Sequence, residues 1–491
     1  MEHLPLAVAQ LASIEVLIVV VLGTLFGAFV GALPGMGTVV ALVVALPFTF
    51  SMSSTAAIAL LLCIYCSSVF GGSISAILIN TPGTPQSAAT VFDGYPMAQQ
   101  GKADLALGWA TVSSVFGGLF SLVILVLAAP QLAAFSVRFG QIETFALILF
   151  ALTCIAWVSR GSTVKGLLAG AIGLFLAMIG PDTMTGMSRF DFGVDELAGG
   201  FSLISVLVGL FALSEVFYRA ATRGETGGSA VLSGVGFRIA PWPEWRIRLV
   251  ALFKGSAIGT FIGILPGTGA TAATFVSYAE AARSSPRRER FGSGEPEGVI
   301  ASESANNAVT GGALVPTLAL GIPGDGGTAV MLGALLIHGI VPGVQLFQNN
   351  PEIMVGAFVT LFFANILMFF VGVLGAQAFT RLLQLPEPLL MGAVLLMSLV
   401  GSYAVRGNPA DVVMAVAAGV FGVLLRLIRI PMAPIVIGMA LGATFEQSLR
   451  QGLMLTDGSF LAFFQQPIAL VILLLTALVI AWPLLRAAFR R

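Results

Sequence analysis

The fold follows from two interrupted apolar runs, G-S-A-I-G-T-F-I-G-I-L-P-G-T-G (255–269) and G-G-A-L-V-P-T-L-A-L-G-I-P-G-D-G-G-T-A-V (311–330). A Pro-Gly pair breaks each run, and S-E-S-A-N-N-A (302–308) lies between them. In water such a pair ends a helix, whereas in a bilayer broken backbone persists only where protein or a wet cavity satisfies its polar groups. Two breaks beside a cluster of Glu and Asn therefore predict a solute site built from helix ends.

The composition indicates a membrane protein. The 491 residues are 57% hydrophobic and 9% charged, with a net charge of zero, whereas soluble domains carry about 25% charged residues. Uncharged apolar windows of more than about 18 residues recur along the chain, as membrane-spanning helices require. We predict an all-α polytopic protein in a lipid bilayer, with about 10–12 transmembrane segments. The neutral net charge does not point to nucleic acid as a partner.

An internal repeat relates the two halves of the chain. The motif G-x-x-x-G-x-F-x-G-x-L-P-G-x-G begins at Gly23 and again at Gly255. The order continues with Gly71-Gly72 before Pro82-Gly83, and with Gly311-Gly312 before Pro323-Gly324. Repeats with broken segments at matching positions are typical of secondary transporters, although glycine-rich helices can also be alike by composition alone. We expect inverted repeats whose broken or re-entrant helices meet near the membrane midplane.

A charged central segment divides the chain. We predict a first membrane repeat (1–220), a charged linker (221–248) and a second membrane repeat (249–491). Clusters of Arg in the linker, at 283–290 and at the C-terminus predict that these parts face the cytoplasm. Trp242 and Trp245 of the linker are predicted to be anchors at the membrane interface.

Four Pro-Gly pairs interrupt helices, and we call them the first (Pro34-Gly35), second (Pro82-Gly83), third (Pro266-Gly267) and fourth (Pro323-Gly324) breaks. The N–H groups of a helix that restarts carry about half a positive charge, which suits a carboxylate. No Lys or Arg is expected beside the breaks, so the anion would be held without one. The predicted substrate-binding residues are Pro34, Gly35, Gly37, Thr38, Asn80, Thr81, Pro82, Gly83, Thr84, Pro266, Gly267, Thr268, Gly269, Pro323 and Gly324.

Acids and amides near the breaks predict a site for a coupling ion. Glu303 and Asp325 are acids within membrane segments, where a charge is costly and usually functional. With Asn306 and Asn307, they could carry a proton or bind Na⁺ through oxygen ligands. The alternative for Glu303 is a cap at a wet helix start. The sequence indicates no organic cofactor and no metal beyond such a Na⁺.

Other polar side chains are given structural roles or left open. Cys63 and Cys66 have the spacing of a redox or zinc half-site, but no second pair follows, and two small helix residues are the preferred interpretation. His338 is interpreted as a hydrogen-bonded residue at a helix end. For Asp93 and Lys102, an interfacial turn and a role in the site weigh equally.

The long motifs of this chain resemble the large membrane subunit of tripartite tricarboxylate transporters. They are G-A-L-P-G-M-G-T (31–38), N-T-P-G-T-P-Q-S-A-A-T-x-x-D-G-Y-P-M-A (80–98), G-I-L-P-G-T-G-A (263–270), S-E-S-A-N-N-A (302–308) and G-I-P-G-D-G-G-T-A-V-M-L-G-A-L-L-I-H-G-I-x-P-G (321–343). The resemblance covers nearly the whole chain. It departs at Asp325, where asparagine is expected.

The resemblance implies a multi-pass protein of the bacterial inner (cytoplasmic) membrane. Its partners would be a small membrane subunit of about four helices and a periplasmic solute-binding protein. Together they would import tricarboxylates such as citrate, or related organic acids, by symport with Na⁺ or H⁺. The sequence contains no G-x-x-x-x-G-K-[ST] loop for nucleotide hydrolysis.

Three alternatives compete with the carrier. A carboxylate channel would need a ring of charges or filter carbonyls, and neither is evident. A carrier of a different organic acid, such as a dicarboxylate or an aromatic acid, would use the same breaks. An intramembrane enzyme would need two matched acids, and Glu303 with Asp325 are a poor pair. We therefore expect no enzymatic activity.

Overall fold

The computed structural model describes residues 13–158, 163–222, 235–267 and 270–489. In these ranges the chain is almost entirely helical, and seven helices are long and apolar enough to cross a membrane. Six shorter apolar helices accompany them. The described strands, β1 (Gly180–Pro181) and β2 (Ser188–Arg189), form one small antiparallel pair. The protein is an all-α polytopic membrane protein, as the composition predicts.

The described helices of the first half extend to Ala221. They are α1 (Ile14–Ala32), α2 (Gly37–Ala45), α3 (Ser54–Ile79), α4 (Val91–Gln99), α5 (Ala103–Ser136), α6 (Gln141–Val158), α7 (Thr163–Ala177), α8 (Leu203–Leu207) and α9 (Ser214–Ala221). A π-helical turn (Val208–Leu213) joins α8 and α9 into one span. Short 3₁₀ turns, three to six residues long, cover Leu46–Ser51, Pro85–Ala88 and Asp195–Leu197.

The described helices of the second half follow the short helix α10 (Trp242–Arg246). They are α11 (Leu249–Ile264), α12 (Ala270–Ser284), α13 (Pro296–Leu320), α14 (Gly326–Ile337), α15 (Val344–Asn349), α16 (Pro351–Leu382), α17 (Glu387–Arg406), α18 (Pro409–Leu427), α19 (Ala433–Leu455) and α20 (Pro467–Phe489). Two 3₁₀ turns cover Arg288–Arg290 and Phe460–Phe464. Proline begins α13, α16 and α18, where its missing N–H has no helical partner to lose.

Small residues let the first helix of each half pack closely on a long neighbour. A methyl group at Gly31 of α1 would lie 2.1 Å from the backbone oxygen of Ser68 in α3. In the second half, a methyl group at Gly259 of α11 would lie 2.3 Å from the backbone oxygen of Ala305 in α13. Glycines four residues apart permit this approach between membrane helices. The equivalent contacts support the internal repeat, while the inversion of the repeats and the division at 221–248 stay predictions.

The contacts correct the register of the repeat by one residue. A methyl group at Gly71 would lie 2.3 Å from the backbone oxygen of Ala28, and one at Gly312 would lie 2.5 Å from that of Thr260. Ala28 and Thr260 hold the same place in the shared motif. Gly71 therefore corresponds to Gly312, so the two glycine pairs keep the order that the sequence indicates but are offset by one residue.

The later helices of each half pack on the other half. Helix α5 packs along α13, and α16 packs along α3. Farther out, α6 and α7 pack on α19, while α18 packs on the span formed by α8 and α9. These contacts between the halves enclose α3 and α13. In α13, the residues from Glu297 to Ala319 are all buried. The polar residues of α13 therefore face protein rather than lipid.

The two tryptophans of the central segment have different environments. Trp242 is 66% exposed, which fits the predicted interface anchor. Trp245 is only 6% exposed, and its ring centroid lies 4.2 Å from that of Trp109 in α5. The prediction of an interface anchor is therefore wrong for Trp245, because α10 turns this ring inward against α5.

Candidate functional site

The breaks of each half lie next to each other. A methyl group at Gly83 in the second break would lie 2.0 Å from the carbonyl oxygen of Gly31, just before the first break. In the second half, the N–H of Gly267 in the third break donates to the carbonyl oxygen of Gly324 in the fourth, at 2.7 Å. The interrupted helices thus approach each other where their backbone is irregular.

The two pairs of breaks also adjoin across the halves. A methyl group at Gly326, the first residue of α14, would lie 3.1 Å from the Cγ2 atom of Val39 in α2. The hydroxyl of Tyr65 in α3 donates to Asp325 Oδ2 at 2.7 Å. The restarted helices of both halves therefore belong to one cluster around α3 and α13.

Matching backbone conformations explain why glycine follows proline at the first and third breaks. Gly35 and Gly267 have φ angles of +76° and +75°, which glycine adopts without strain. Asn80 and Gly321 end α3 and α13 with φ angles of +58° and +69°. Asn80 and its neighbour Thr81 are exposed at the end of α3.

Two predicted binding residues of the third break, Thr268 and Gly269, lie outside the described residues. The other residues of that break are Pro266, which is buried, and Gly267, which is half-buried. Pro323 and Gly324 are both buried. In the second break Pro82 is half-buried and Thr84 is buried, with its hydroxyl 3.0 Å from that of Ser87.

The N-termini of the restarted helices differ in how they are capped. Helix α2 begins at Gly37 without a side-chain cap, and the hydroxyl of Thr38 is buried without a hydrogen-bond partner in the described ranges. Helix α14 is capped by Asp325, whose Oδ1 accepts from the Thr328 N–H at 2.8 Å. The hydroxyl of Thr328 in turn accepts from the Asp325 N–H at 2.9 Å. The start of α2 can thus accept an anion, while a carboxylate of the chain already fills the start of α14.

Glu303 lies in the middle of α13 and is fully buried. Its carboxylate accepts hydrogen bonds from the Thr90 hydroxyl, from the Ser114 hydroxyl at 3.0 Å and from Asn306 Nδ2 at 3.3 Å. No Lys, Arg or His forms an ion pair with it among the described residues. The alternative reading of Glu303 as a cap is therefore wrong, because the helix begins two turns earlier, at Pro296.

Asn306 and Asn307 extend this polar cluster toward α3. Asn306 Nδ2 also donates to the backbone oxygen of Val69 at 3.3 Å, and Asn307 Nδ2 donates to that of Cys66 at 3.2 Å. The two side-chain oxygens, Asn306 Oδ1 and Asn307 Oδ1, are buried and accept no hydrogen bond from any described residue. Buried acceptors are usually satisfied, so these two oxygens are available to a cation or to water.

Arg219 lies beside the first break, contrary to the expectation that no Lys or Arg would. Its Nη2 donates to the carbonyl oxygen of Pro34, and its other nitrogens pair with Glu215 at 2.5 Å and with Glu387 at 2.6 Å. Arg426 pairs with the second oxygen of Glu215 at 2.5 Å. The expectation fails because Arg219 is far from the break in the sequence and reaches it from α9.

Of three further candidates, Asp93 has contacts that hold the fold together. Asp93 is buried and accepts from the Tyr278 hydroxyl at 2.8 Å and from the N–H groups of Gly292, Gly294 and Glu295. It thereby fixes α4 to the start of α13. Lys102 is exposed at the start of α5. His338 ends α14, as predicted, but its buried Nε2 has no hydrogen-bond partner among the described residues, so the predicted side-chain hydrogen bond is not formed by this nitrogen. In the described ranges, none of the three side chains forms a hydrogen bond or an ion pair with Glu303 or with a break.

Sequence reasoning missed the residues that surround Glu303. Thr90 lies ten residues after Asn80 in the motif of the second break, and Ser114 lies in the apolar helix α5. A hydroxyl residue in a membrane helix gives no signal of which acid it meets. In contrast, the D-G-G-T sequence at Asp325 does contain the signal of an N-cap, since Asp followed three residues later by a hydroxyl can form a reciprocal cap.

Comparison with known proteins identifies the family. The profile of the tripartite tricarboxylate transporter TctA family matches residues 17–437. An uncharacterized 52.8 kDa protein in the TAR-I ttuC' 3'region of Agrobacterium vitis is 35% identical over 453 residues, covering 91% of this chain and 89% of that protein. An uncharacterized protein in the TAR-II ttuC' 3'region of the same organism is 31% identical over 211 residues, or 43% of this chain and 87% of that protein. No solved structure matches the chain. The fold, the clustered breaks and the profile together show that this chain is a membrane component of the tripartite tricarboxylate transporter TctA family.

Proposed function

We propose that the protein is the carrier subunit of a binding-protein-dependent system that imports tricarboxylates such as citrate, or related organic acids, by symport with Na⁺ or H⁺. The observation that carries the proposal is the buried carboxylate of Glu303, which has three side-chain donors and no cationic partner in the described ranges. It lies in the helix that leads into the fourth break.

The environment of Glu303 supports ion coupling. A lone charge is costly within a membrane protein, so this carboxylate favours either a bound proton or a bound cation. The unpaired oxygens of Asn306 and Asn307 lie on the same helix, within one turn. Amide oxygens are suitable ligands for a hard cation such as Na⁺. Either ion would neutralise the charge, and a bound Na⁺ could in addition take the amide oxygens as ligands.

The first break supports binding of a carboxylate substrate. The uncapped start of α2 presents backbone N–H groups and the unpaired hydroxyl of Thr38. Both are hydrogen-bond donors, and the helix dipole favours an anion at this end. The buried Gly37 at the same start leaves room for close approach, because a methyl group there would have no neighbour nearer than 3.9 Å.

We further propose that the protein lies in the bacterial inner membrane and works with the two partners that a tripartite system implies. One would be a small membrane subunit of about four helices, and the other a periplasmic solute-binding protein. The test is uptake of labelled citrate into proteoliposomes that contain all three proteins, under an imposed Na⁺ gradient or an imposed H⁺ gradient.

Uptake that saturates and depends on one gradient and on the binding protein would support the proposal. Glu303→Gln should then abolish accumulation driven by that gradient. The control is Glu297→Gln, an acid-to-amide change on the same helix, since Glu297 is paired with Arg287 at 2.7 Å. Equal accumulation by the Glu303→Gln variant would refute its role in coupling. Flux that does not saturate and ignores both gradients would indicate a channel instead.

A further inference from the structure

A polar cavity lies away from the breaks, between the start of α5, helix α10 and the start of α13. Its volume is about 620 Å³. The polar and aromatic residues that bear on its chemistry include Lys102, Trp109, Arg238, Glu244, Arg248 and Arg290. Glu295, which also lines it, precedes Glu303 by about two turns of helix. The cavity is therefore separate from the proposed ion site.

Some of the charged side chains that line this cavity form ion pairs, and others form none in the described ranges. The buried Arg248 pairs with Glu244 and with Glu295, at 3.3 Å to the latter. Two other cations, Lys102 and Arg290, have no carboxylate partner among the residues that the structure describes. After pairing, the lining thus retains positive charge at Lys102 and Arg290.

Trp109 supplies a buried donor that has no acceptor among the described residues. Its side chain is 1% exposed, and the Arg248 guanidinium lies 5.5 Å from its ring centroid. Its indole nitrogen, Nε1, is buried and makes no hydrogen bond to any described residue. Because buried donors are rarely left unpaired, a cavity lined by this ring and by two free cations is suited to a ligand with anionic oxygens.

Several apolar side chains are exposed beside the cavity. Trp242 and Ile247 follow the lining residue Pro241 and are 66% and 55% exposed, and Val250 is 66% exposed. In a membrane protein, exposed apolar side chains next to a tryptophan of this kind face lipid at the interface. A ligand whose anionic group enters the cavity could therefore place an apolar tail along these residues.

We propose that this cavity binds a phosphate group, and that its source is the headgroup of an anionic phospholipid. Lys102 and Arg290 neutralise the phosphate, and Trp109 donates its indole N–H to a phosphate oxygen. Arg248, held by its two carboxylates, keeps the tryptophan ring in place. Basic pockets between membrane helices bind anionic headgroups by the same chemistry.

The test uses the full-length protein purified in an uncharged detergent. Its thermal midpoint is followed while short-chain phosphatidylglycerol, phosphatidylcholine with the same chains, or inorganic phosphate is added. The variants are Lys102→Gln, Arg290→Gln and their combination. The control is Arg288→Gln, which removes the same charge from the same exposed 3₁₀ turn but does not line the cavity.

Phosphatidylglycerol should raise the midpoint at lower concentration than phosphatidylcholine does. Each lost cation should weaken the apparent affinity about fivefold, which corresponds to ~1 kcal/mol per basic residue near a membrane surface. Arg288→Gln should leave the affinity unchanged. A rise with inorganic phosphate alone would support the phosphate site and assign it to a free phosphate. Equal responses to the two lipids, or equal weakening by Arg288→Gln and Arg290→Gln, would overturn the proposal.

Discussion

Replacing Gly35 by alanine tests whether Arg219 fixes the first break. A methyl group at Gly35 would lie 1.8 Å from Arg219 Nη2, the nitrogen that donates to the Pro34 carbonyl oxygen. The guanidinium can move away only by giving up this hydrogen bond and by disturbing its pairs with Glu215 and Glu387. The substitution therefore affects the conformation of the break and the ion pairs together.

The matched control is Gly37→Ala. Gly35 and Gly37 have φ angles of +76° and +69°, so alanine should cost roughly 1–2 kcal/mol of conformational strain at either position. At Gly37 the nearest described atom to an added methyl group, Pro85 Cδ, is 3.9 Å away. Only Gly35→Ala loses the bond from the guanidinium, which should cost about 1.5–3 kcal/mol more.

The assay is equilibrium unfolding in mixed micelles, with the free energy of unfolding compared among the variants. In an Arg219→Gln background the extra loss at Gly35 should disappear, so that the two glycine substitutions become equivalent. If Gly35→Ala and Gly37→Ala are equally destabilising with Arg219 intact, the guanidinium does not fix the break and the reasoning is wrong.

Two further substitutions test other contacts. Gly83→Ala should lower the free energy of unfolding by about 1–3 kcal/mol, because its methyl group would collide with the carbonyl of Gly31. A methyl group at Gly236 would have no described atom within 4 Å, so Gly236→Ala should be near neutral in the same assay. The hydrogen bond from the Thr185 N–H and ion pairs with arginine hold the pKa of Asp182 below its usual range. Its contribution to stability is therefore complete above the unfolded pKa of about 3.9 and is lost as the pH falls toward the lowered value. Asp182→Asn should unfold at a lower temperature at neutral pH and lose less on acidification, and a wild-type pH profile for this variant would contradict the prediction.

Much of the fold was predictable because it depends on local chemistry. A helix can cross the membrane only if a long stretch avoids charge, so the spans follow from the composition of each window. A break is local as well, since proline lacks an N–H and glycine adopts positive φ angles. The positions of Gly35 and Gly267 were therefore readable, and their matching φ angles of +76° and +75° agree with the repeated motif.

The surroundings of the charged residues were not predictable in this way. Arg219 reaches the first break from a distant helix, and Thr90 and Ser114 reach Glu303 from two other elements. Such contacts depend on how helices cross and on which side of each helix is enclosed. Asp325 is the intermediate case, because its cap involves a residue three positions away and could have been read from the sequence.

By itself, the sequence determined that the chain forms membrane helices and where those helices break, because hydropathy and backbone conformation are set by neighbouring residues. It also identified Glu303 as an acid that needs a reason to lie in a membrane. Only the tertiary structure decided that Glu303 is fully buried with no cationic partner among the described residues, and that Arg219 adjoins Pro34. The physical reason is that the pairing and burial of a charge depend on residues that the fold brings together. The separation of those residues along the chain does not indicate whether they are in contact.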